Sequence, residues 1–204
     1  MSTVTVDQLE VAEPVRRKFS MLTYILLGLV ALVVVLLIVV SMQPSDFRYT
    51  RSATIAALPA KVFEHVNNFH HWEAWSPWAK RDPNCKTTYD GPETGEGAKF
   101  AWDGNKEVGA GNMTIIESTP HKKIAIRLEF LKPMKAINTA EFTFTPAGDQ
   151  TQVTWSMFGK NSFMGKAFGL IVNCDKMIGK DFEQGLATMK SVVESSATNT
   201  VTAN

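Results

Sequence analysis

Cysteine is scarce in this chain of 204 residues, which contains only Cys85 and Cys174. Two cysteines exclude a disulfide-dense scaffold and a structural zinc site built from cysteine alone. A surplus of either charge is also missing, because 21 basic and 20 acidic residues leave a net charge of +1. Nucleic-acid binding needs a clustered basic surplus, so this balance argues against a nucleic-acid partner. The length suits one domain with an appendage.

Motifs of common catalytic and metal centres are missing as well. The sequence has no G-x-S-x-G nucleophile turn and no H-E-x-x-H pair. Gly109-Ala110-Gly111 lies inside a strand pattern, where glycine more often marks a bulge than a phosphate-binding loop. The histidines, which offer no evident set of three metal ligands, are His65, His70, His71 and His121. The sequence therefore indicates no cofactor, no metal site and no assignable catalytic residue.

One long apolar run near the N-terminus divides the chain into two unlike parts. Residues 21–40 carry no charge. At about 1.5 Å per residue, a helix of that length spans about 30 Å, which matches the hydrocarbon core of a bilayer. The run has no polar face, unlike a helix that borders a soluble core. We therefore predict a transmembrane helix over residues 19–42.

Charges are placed asymmetrically around this predicted helix. Three consecutive basic residues, 16–18, come directly before it, and the first charge after it is Asp46. The positive-inside rule predicts a cytosolic tail at residues 1–18 and an extracytoplasmic soluble domain. A cleaved signal peptide is the rival, but Val39-Val40-Ser41 is a poor cleavage site, so a single-pass anchor is favoured.

Beyond residue 46, apolar and polar residues alternate with the period of β-strands. Short turns separate these patterns, so we predict an antiparallel meander. Leu58-Pro59-Ala60 begins a short helix, with proline near its first turn. The predicted strands are an edge or half-exposed strand at 47–56, and further strands at 98–102, 108–117, 124–130, 141–145 and 153–158.

The period changes after the last strand. Apolar residues from Met164 to Val193 fall close to multiples of 3.6, which predicts one long amphipathic helix with a candidate interruption near Asn173. Gly179 and Gly185 each cost such a helix about 1 kcal/mol relative to alanine. Either the helix approaches the sheet or a ligand closely at these glycines, or they are simply tolerated.

A sheet with one apolar face and an amphipathic helix bury those surfaces against each other. A curved sheet around the helix leaves a wedge-shaped space at one end that side chains fill poorly, which predicts an apolar pocket. Alternation does not separate core residues from cavity residues, so the large apolar side chains are all candidates. The ligand-binding candidates are Trp75, Trp78, Trp102, Met113, Phe130, Phe142, Phe144, Trp155, Met157, Phe168 and Phe182.

Five segments, taken in order, resemble those of one known family. They are Leu58–Phe63, Trp72–Trp78 with the pattern W-x-x-W-S-P-W, Gly95–Gly97 before a strand, Val153–Trp155 and Gly179–Leu186. They resemble the START-like superfamily, in particular its polyketide cyclase/dehydrase and lipid-transport family, the SRPBCC group. The resemblance covers residues 47–194. It implies an α+β helix-grip fold, in which one strand, a short helical pair, six strands and a long C-terminal helix form a curved antiparallel sheet around that helix.

The resemblance also implies binding of lipids or other hydrophobic small molecules, and some relatives are enzymes. We favour a non-enzymatic module that binds a lipid-like or other hydrophobic molecule in an internal cavity, at the membrane and without nucleic acid. One alternative is a cyclase or dehydratase acting on a hydrophobic substrate, and another is an interaction protein that docks a membrane partner. The predicted parts are a cytosolic tail 1–18, a transmembrane helix 19–42, a linker 43–46, the helix-grip domain 47–195 and a disordered tail 196–204.

Two features leave alternatives open. Trp72, Trp75 and Trp78 either cover the pocket mouth, touch the membrane interface, or pack the short helices onto the sheet edge. Cys85 and Cys174 either form a disulfide, if they lie on the extracytoplasmic side of the membrane, or stay free, with Cys174 a small buried residue near the helix stripe.

Overall fold

The computed structural model describes residues 21–201, and the side chains of residues 21–196. The predicted cytosolic tail 1–18 lies outside the described residues, as do residues 202–204. The chain divides into two compact units after Met42. The first contains helix α1, Met21–Met42, and the second contains all the strands and the remaining helices of the described part.

Helix α1 is the one described helix long and apolar enough to cross a bilayer. It has 22 residues, and no charged residue lies within it. Its length and composition fit the predicted transmembrane helix, and an N-terminal signal sequence has the same properties.

The second unit contains a seven-stranded sheet in which every neighbouring pair is antiparallel. The predicted meander is confirmed: strands β2 to β7 pair in chain order, and β7 also pairs with β1, which forms one edge of the sheet. The strand order is β1-β7-β6-β5-β4-β3-β2. The strands are β1 (Asp46–Ile55), β2 (Lys86–Asp90), β3 (Lys99–Asp103), β4 (Ala110–Thr119), β5 (Lys123–Lys132), β6 (Ala136–Ala147) and β7 (Gln150–Lys160).

Four helical segments accompany the sheet. Helix α2 (Pro59–Asn67) and a 3₁₀ helix (Phe69–Ala74) form the predicted short helical pair, and α3 (Phe163–Ile171) and α4 (Cys174–Val201) follow the last strand. The predicted interruption near Asn173 is confirmed. It arises because the Asn173 side chain accepts a hydrogen bond from the Lys176 backbone N–H and so starts a new helix.

Helix α4 continues to Val201 and thereby enters the segment 196–204, which the sequence predicts to be disordered. Its last buried core residue is Val193. A helix that is already formed gains one backbone hydrogen bond for each residue it adds, so it extends beyond its last tertiary contact at little cost. The apolar periodicity in the sequence ends at the last buried residue, Val193, whereas the helix continues to Val201.

The core lies between α4 and the concave face of the sheet. Phe182, Leu186, Met189 and Val193 of α4 are buried at spacings of three or four residues, as the predicted stripe requires. They face buried strand residues such as Ile55, Phe142, Val153 and Trp155. The first part of the predicted stripe is not buried, because Met164, Phe168 and Ile171 are exposed on the separate helix α3. A sheet wrapped around one long C-terminal helix is the helix-grip architecture that the sequence predicts.

The two helical glycines mark close approaches between α4 and the sheet. A Cβ added at Gly185 would lie 2.8 Å from the Trp155 ring, and one at Gly179 would overlap the guanidinium of Arg51. Of the alternatives for these glycines, the structure supports close approach to the sheet over simple tolerance.

Candidate functional site

Most of the predicted cavity residues lie together between α4, the tryptophan-rich segment and the inner face of the sheet, where they pack against one another. Trp155 of β7 is at the centre of this aromatic cluster. Its ring stacks on Phe182 of α4 with centroids 4.1 Å apart, and on Phe142 of β6 with centroids 4.8 Å apart. Phe144, Met113 and Met157 are buried in the same core. These side chains therefore occupy much of the interior between α4 and the sheet.

The tryptophan-rich segment closes one side of that cluster. Trp75 is 1% exposed, and its ring lies 5.6 Å from that of Trp155, while Trp78 is partly buried at 5.8 Å from the same ring. The indole N–H of Trp72 donates to the Val66 carbonyl, and that of Trp75 donates to the His65 carbonyl. Of the three alternatives for this segment, the observed contacts are those of packing onto the sheet.

The remaining predicted residues lie apart from this cluster. Trp102 and Phe130 contact each other edge to face at the β3 side of the sheet, with centroids 6.1 Å apart. Phe168 lies on α3 and is 45% exposed. The structure thus brings together the candidates of β4, β6, β7 and α4, and leaves these three at the periphery.

The larger of the two described pockets, with a volume of about 430 Å³, lies where α3 meets α4. We call it the α3–α4 pocket. Its apolar wall is formed by Leu170, Ile171 and Val172, and its polar side chains come from β1, from the loops on either side of α3 and from the start of α4. The other lining residues are Tyr49, Asn161, Gly165, Gly169, Asn173, Cys174 and Asp175.

Tyr49 places a phenol at the wall that β1 contributes. Burial is the main cause that raises the pKa of Tyr49 to about 12, and the neighbouring Cys174 raises it further. The hydroxyl is therefore protonated throughout the physiological range. It offers a ligand a neutral hydrogen-bond donor, not a base.

Asp175 stands at the pocket wall in the first turn of α4. Each of its carboxylate oxygens accepts a hydrogen bond of 3.1 Å from Arg51 of β1, whose Nε also donates to Glu183 at 2.7 Å. The hydrogen bonds from Arg51 lower the pKa of Asp175 below its ordinary value. The carboxylate is thus committed to an ion pair that ties the start of α4 to the sheet.

A second, smaller pocket of about 170 Å³ lies between the 3₁₀ helix and the β2–β3 hairpin. Its walls include His70 and Tyr89, whose rings stack with centroids 3.8 Å apart. This space suits a few waters or a small fragment more than a lipid-sized molecule.

Neither cysteine forms a disulfide in the structure. Cys85 and Cys174 are both free thiols of intermediate exposure, which decides between the two alternatives for them. Cys174 lies in the wall of the α3–α4 pocket. Within the described part of the chain, no three His, Cys, Asp or Glu side chains are grouped in a way that would hold a metal ion.

The lining of the α3–α4 pocket was not identified from the sequence. Tyr49 lies more than 100 residues before its other polar members, Asn161, Asn173 and Cys174. The signal available was the helix interruption near Asn173, together with small residues at Gly165 and Gly169 four positions apart. Small residues on one helical face leave space beside the helix, so these two features together mark a pocket.

Solved structures share this fold at low sequence identity. Protein CV1439 from Chromobacterium violaceum is 13% identical with a TM-score of 0.53, over 74% of this chain and 99% of that chain. SA2116 from Staphylococcus aureus is 12% identical with a TM-score of 0.56, over 75% and 96% of the two chains. Ms6760 from Mycobacterium smegmatis is 15% identical with a TM-score of 0.51, over 73% and 92%. No curated protein sequence matches the chain.

A family profile gives the assignment that these distant structures leave at the level of fold. The profile described as "Polyketide cyclase / dehydrase and lipid transport" matches residues 46–194, from the first strand to just past the last buried core residue of α4. The match covers well over half of the chain and includes every strand of a ligand-binding fold. The chain therefore belongs to the polyketide cyclase/dehydrase and lipid-transport family, as its sequence motifs predicted.

Proposed function

We propose that this protein is a single-pass membrane protein whose extracytoplasmic helix-grip domain binds a lipid-like or other hydrophobic small molecule. The observation that carries the proposal is the α3–α4 pocket, whose volume of about 430 Å³ falls in the range of small-molecule sites. Three aliphatic side chains, Leu170, Ile171 and Val172, adjoin the polar side chains of this pocket, a mixture that suits a molecule with both an apolar and a polar part.

The protonation states in the pocket favour binding over catalysis. A general acid or base works best when its pKa lies near the working pH. The pKa of Tyr49 is raised to about 12, and that of Asp175 is lowered by its hydrogen bonds from Arg51. Both groups are therefore poorly suited to exchanging protons near neutral pH. A hydrophobic ligand with one polar end would use the Tyr49 hydroxyl and the Asn161 or Asn173 amide for orientation.

The anchor part of the proposal comes from α1 and its flanks. The helix is long and apolar enough to span a bilayer, and the basic residues 16–18 precede it in the sequence. Residues 43–45 connect it to β1, and three residues reach about 10 Å when fully extended. A domain on so short a connection stays close to the membrane surface, and that favours a ligand drawn from the membrane.

Native mass spectrometry of the delipidated full-length chain tests the pocket. The chain is offered oleate, phosphatidylglycerol and ubiquinone, and we expect a stable complex with at least one of them. Gly169→Leu should abolish that complex, because the added side chain would project from a glycine that lines the pocket and has no atom within 4 Å of its Cβ position.

The matched control is Ala167→Leu, which adds the same side chain to α3 at a position outside the pocket lining. It should bind the probe as the natural chain does. Failure of the natural chain to bind any of the three probes would contradict the proposed function. Equal binding by Gly169→Leu would contradict the location.

A further inference from the structure

Exposed apolar side chains are concentrated at one end of the sheet. Outside α1, twelve large hydrophobic residues of the described chain are exposed, and eight of them fall in two short segments. The end of the β5–β6 hairpin contributes Leu131 of β5, Met134 of the loop and Ile137 of β6, with exposed fractions of 49–59%. Helix α3 contributes Phe163, Met164, Phe168, Leu170 and Ile171, with exposed fractions of 43–87%. We call these eight side chains the apolar end face.

The strand register places both segments at the same end. Asp46, the first residue of β1, pairs with Lys160, the last residue of β7. Gly159 pairs on its other side with Asn138, which directly follows Ile137. Helix α3 begins three residues after Lys160. One end of the sheet therefore carries the start of β1, the β5–β6 loop and α3.

Helix α3 is unusual because none of its residues is buried, although eight of its nine residues are apolar or glycine and Lys166 is its one polar residue. The Ser162 hydroxyl accepts a hydrogen bond from the Gly165 N–H and caps the helix. A backbone hydrogen bond from Asn161 to the Ser45 carbonyl, 2.7 Å long, ties the chain before α3 to the residue that precedes β1. A capped, tethered helix with an exposed apolar surface is a helix whose partner lies outside this unit.

We propose that the apolar end face inserts into the outer surface of the bilayer in which α1 is anchored, with α3 lying at the lipid interface. This inference rests on the proposed membrane anchor. The chain leaves β1 for α1 at this same end of the sheet, through residues 43–45, which reach about 10 Å when fully extended. The start of β1, beside the apolar end face, therefore stays close to the point where an anchored chain enters the bilayer.

The charges of the two segments match a phospholipid surface. Lys132, Lys135 and Lys166 are the charged residues within 131–137 and 163–171, and neither segment contains a carboxylate. The Lys132 ammonium group pairs with Asp103 of β3 at 3.0 Å, so the charge match rests on the net positive charge of the two segments and not on unpaired lysines. Lysine stems also cover apolar surface, and interfacial helices combine lysine with phenylalanine and leucine. A water-soluble partner protein could bind such a surface anywhere on the domain. The position of these lysines and apolar residues next to the anchor connection therefore favours lipid.

The position of α3 also connects the surface to the α3–α4 pocket. Leu170 and Ile171 belong to the apolar end face and line that pocket as well. A hydrophobic molecule would therefore pass from the bilayer into the pocket along α3 without crossing water. On this inference, the ligand enters the pocket from the membrane.

Collisional quenching in proteoliposomes tests this surface with the full-length chain. In a Cys85→Ser, Cys174→Ser background, Met134→Cys and Met164→Cys carry an environment-sensitive fluorophore, and the phosphatidylglycerol–phosphatidylcholine vesicles contain nitroxide-labelled lipid. Leu58→Cys is the matched control, since Leu58 is an exposed apolar residue (61%) that follows the opposite end of β1. Ten residues of strand separate the two ends by about 30 Å.

We expect strong quenching at positions 134 and 164 and little at position 58. Equal quenching at all three positions, or none at 134 and 164, would overturn the inference. If either labelled variant fails to fold, Ile137→Cys and Phe168→Cys provide a second pair on the same face. Quenching without ligand uptake in the mass spectrometry experiment would support the membrane contact and contradict the proposed ligand binding. Uptake without quenching would support ligand binding and contradict the membrane contact.

Discussion

The guanidinium of Arg51 lies over Gly179, in the space that a side chain at this helical position would otherwise fill. From there it donates to Asp175 one turn earlier and to Glu183 one turn later. One residue of β1 thereby holds two turns of α4, and the missing Cβ is the condition for this contact. These hydrogen bonds of Arg51 fix the start of α4, which forms one wall of the α3–α4 pocket.

Replacing either partner of this contact should loosen the first turns of α4. Gly179→Ala would displace the guanidinium, and Arg51→Ala would remove it, so both should lower Tm and speed hydrogen exchange around residues 175–183. The double variant should be much less destabilised than the sum of the two, because both remove the same contact. Additive effects in a double-mutant cycle would show that Gly179 and Arg51 act independently.

Gly185→Ala should destabilise the protein in spite of a better helix propensity. The new Cβ would lie 2.8 Å from the Trp155 ring and 3.1 Å from Pro77. Overpacking of a core costs about 1–3 kcal/mol, against a gain of about 1 kcal/mol from replacing glycine in a helix. Urea denaturation should therefore show a net loss. Gly169→Ala is the control, because its Cβ would meet no atom within 4 Å, and it should be neutral or stabilising.

Phe182→Ala should open a cavity beneath Trp155. Phe182 is 2% exposed and stacks on that ring at 4.1 Å, so its loss should cost about 3–5 kcal/mol. An apolar cavity of this kind stays dry and takes up small aromatic molecules. Benzene should raise the Tm of the variant more than that of the natural chain. An equal shift in both would indicate that the cluster had collapsed into the space.

His65 should make the fold sensitive to mild acid. Burial is the main cause that lowers the pKa of His65 below its ordinary 6.5, and nearby His71 lowers it further. Its Nδ1 is buried with no hydrogen-bond partner among the described residues. The unfolded chain therefore binds the proton more readily, and the stability of the fold should fall as the pH drops below about 6.5.

The variant His65→Gln should lose less stability than the natural chain over this acid range, as measured by urea unfolding at successive pH values. His121→Asn changes an exposed histidine in the β4–β5 turn and serves as the control, which should keep the acid sensitivity. Parallel pH profiles for the natural chain and His65→Gln would contradict the role of His65.

The charge asymmetry around α1 predicts the orientation of the chain in the membrane. A reporter fused after Asn204 should be active on the extracytoplasmic side, and the intact mass of membrane-extracted protein should include α1. Substituting the three basic residues at 16–18 with glutamine should reduce the fraction of chains in this orientation, since the positive-inside bias is then lost. A mature protein that begins after residue 40 would identify α1 as a signal peptide instead.

Alternation and helical periodicity predicted the elements that border the core. β5, with Ile124, Ile126 and Leu128, and α4, with its stripe ending at Val193, both bury one face, and burial on one face is what produces the pattern. β2 was not identified from its residues, because all five of them are exposed and the strand is held by backbone pairing with β3. The resemblance to the family supplied the sixth strand after the helical pair.

The sequence by itself determined the apolar helix, the antiparallel sheet, the long C-terminal helix and the family, since each follows from local periodicity or from motifs read in order. Only the tertiary structure decided which side chains fill the interior and which line a space. Trp155 and Phe182 stack, whereas Tyr49 and Cys174 face the α3–α4 pocket, and both pairs join residues more than 20 positions apart. Such contacts depend on strand register and on how closely the glycines let α4 approach the sheet. Neither quantity can be predicted from a local sequence pattern.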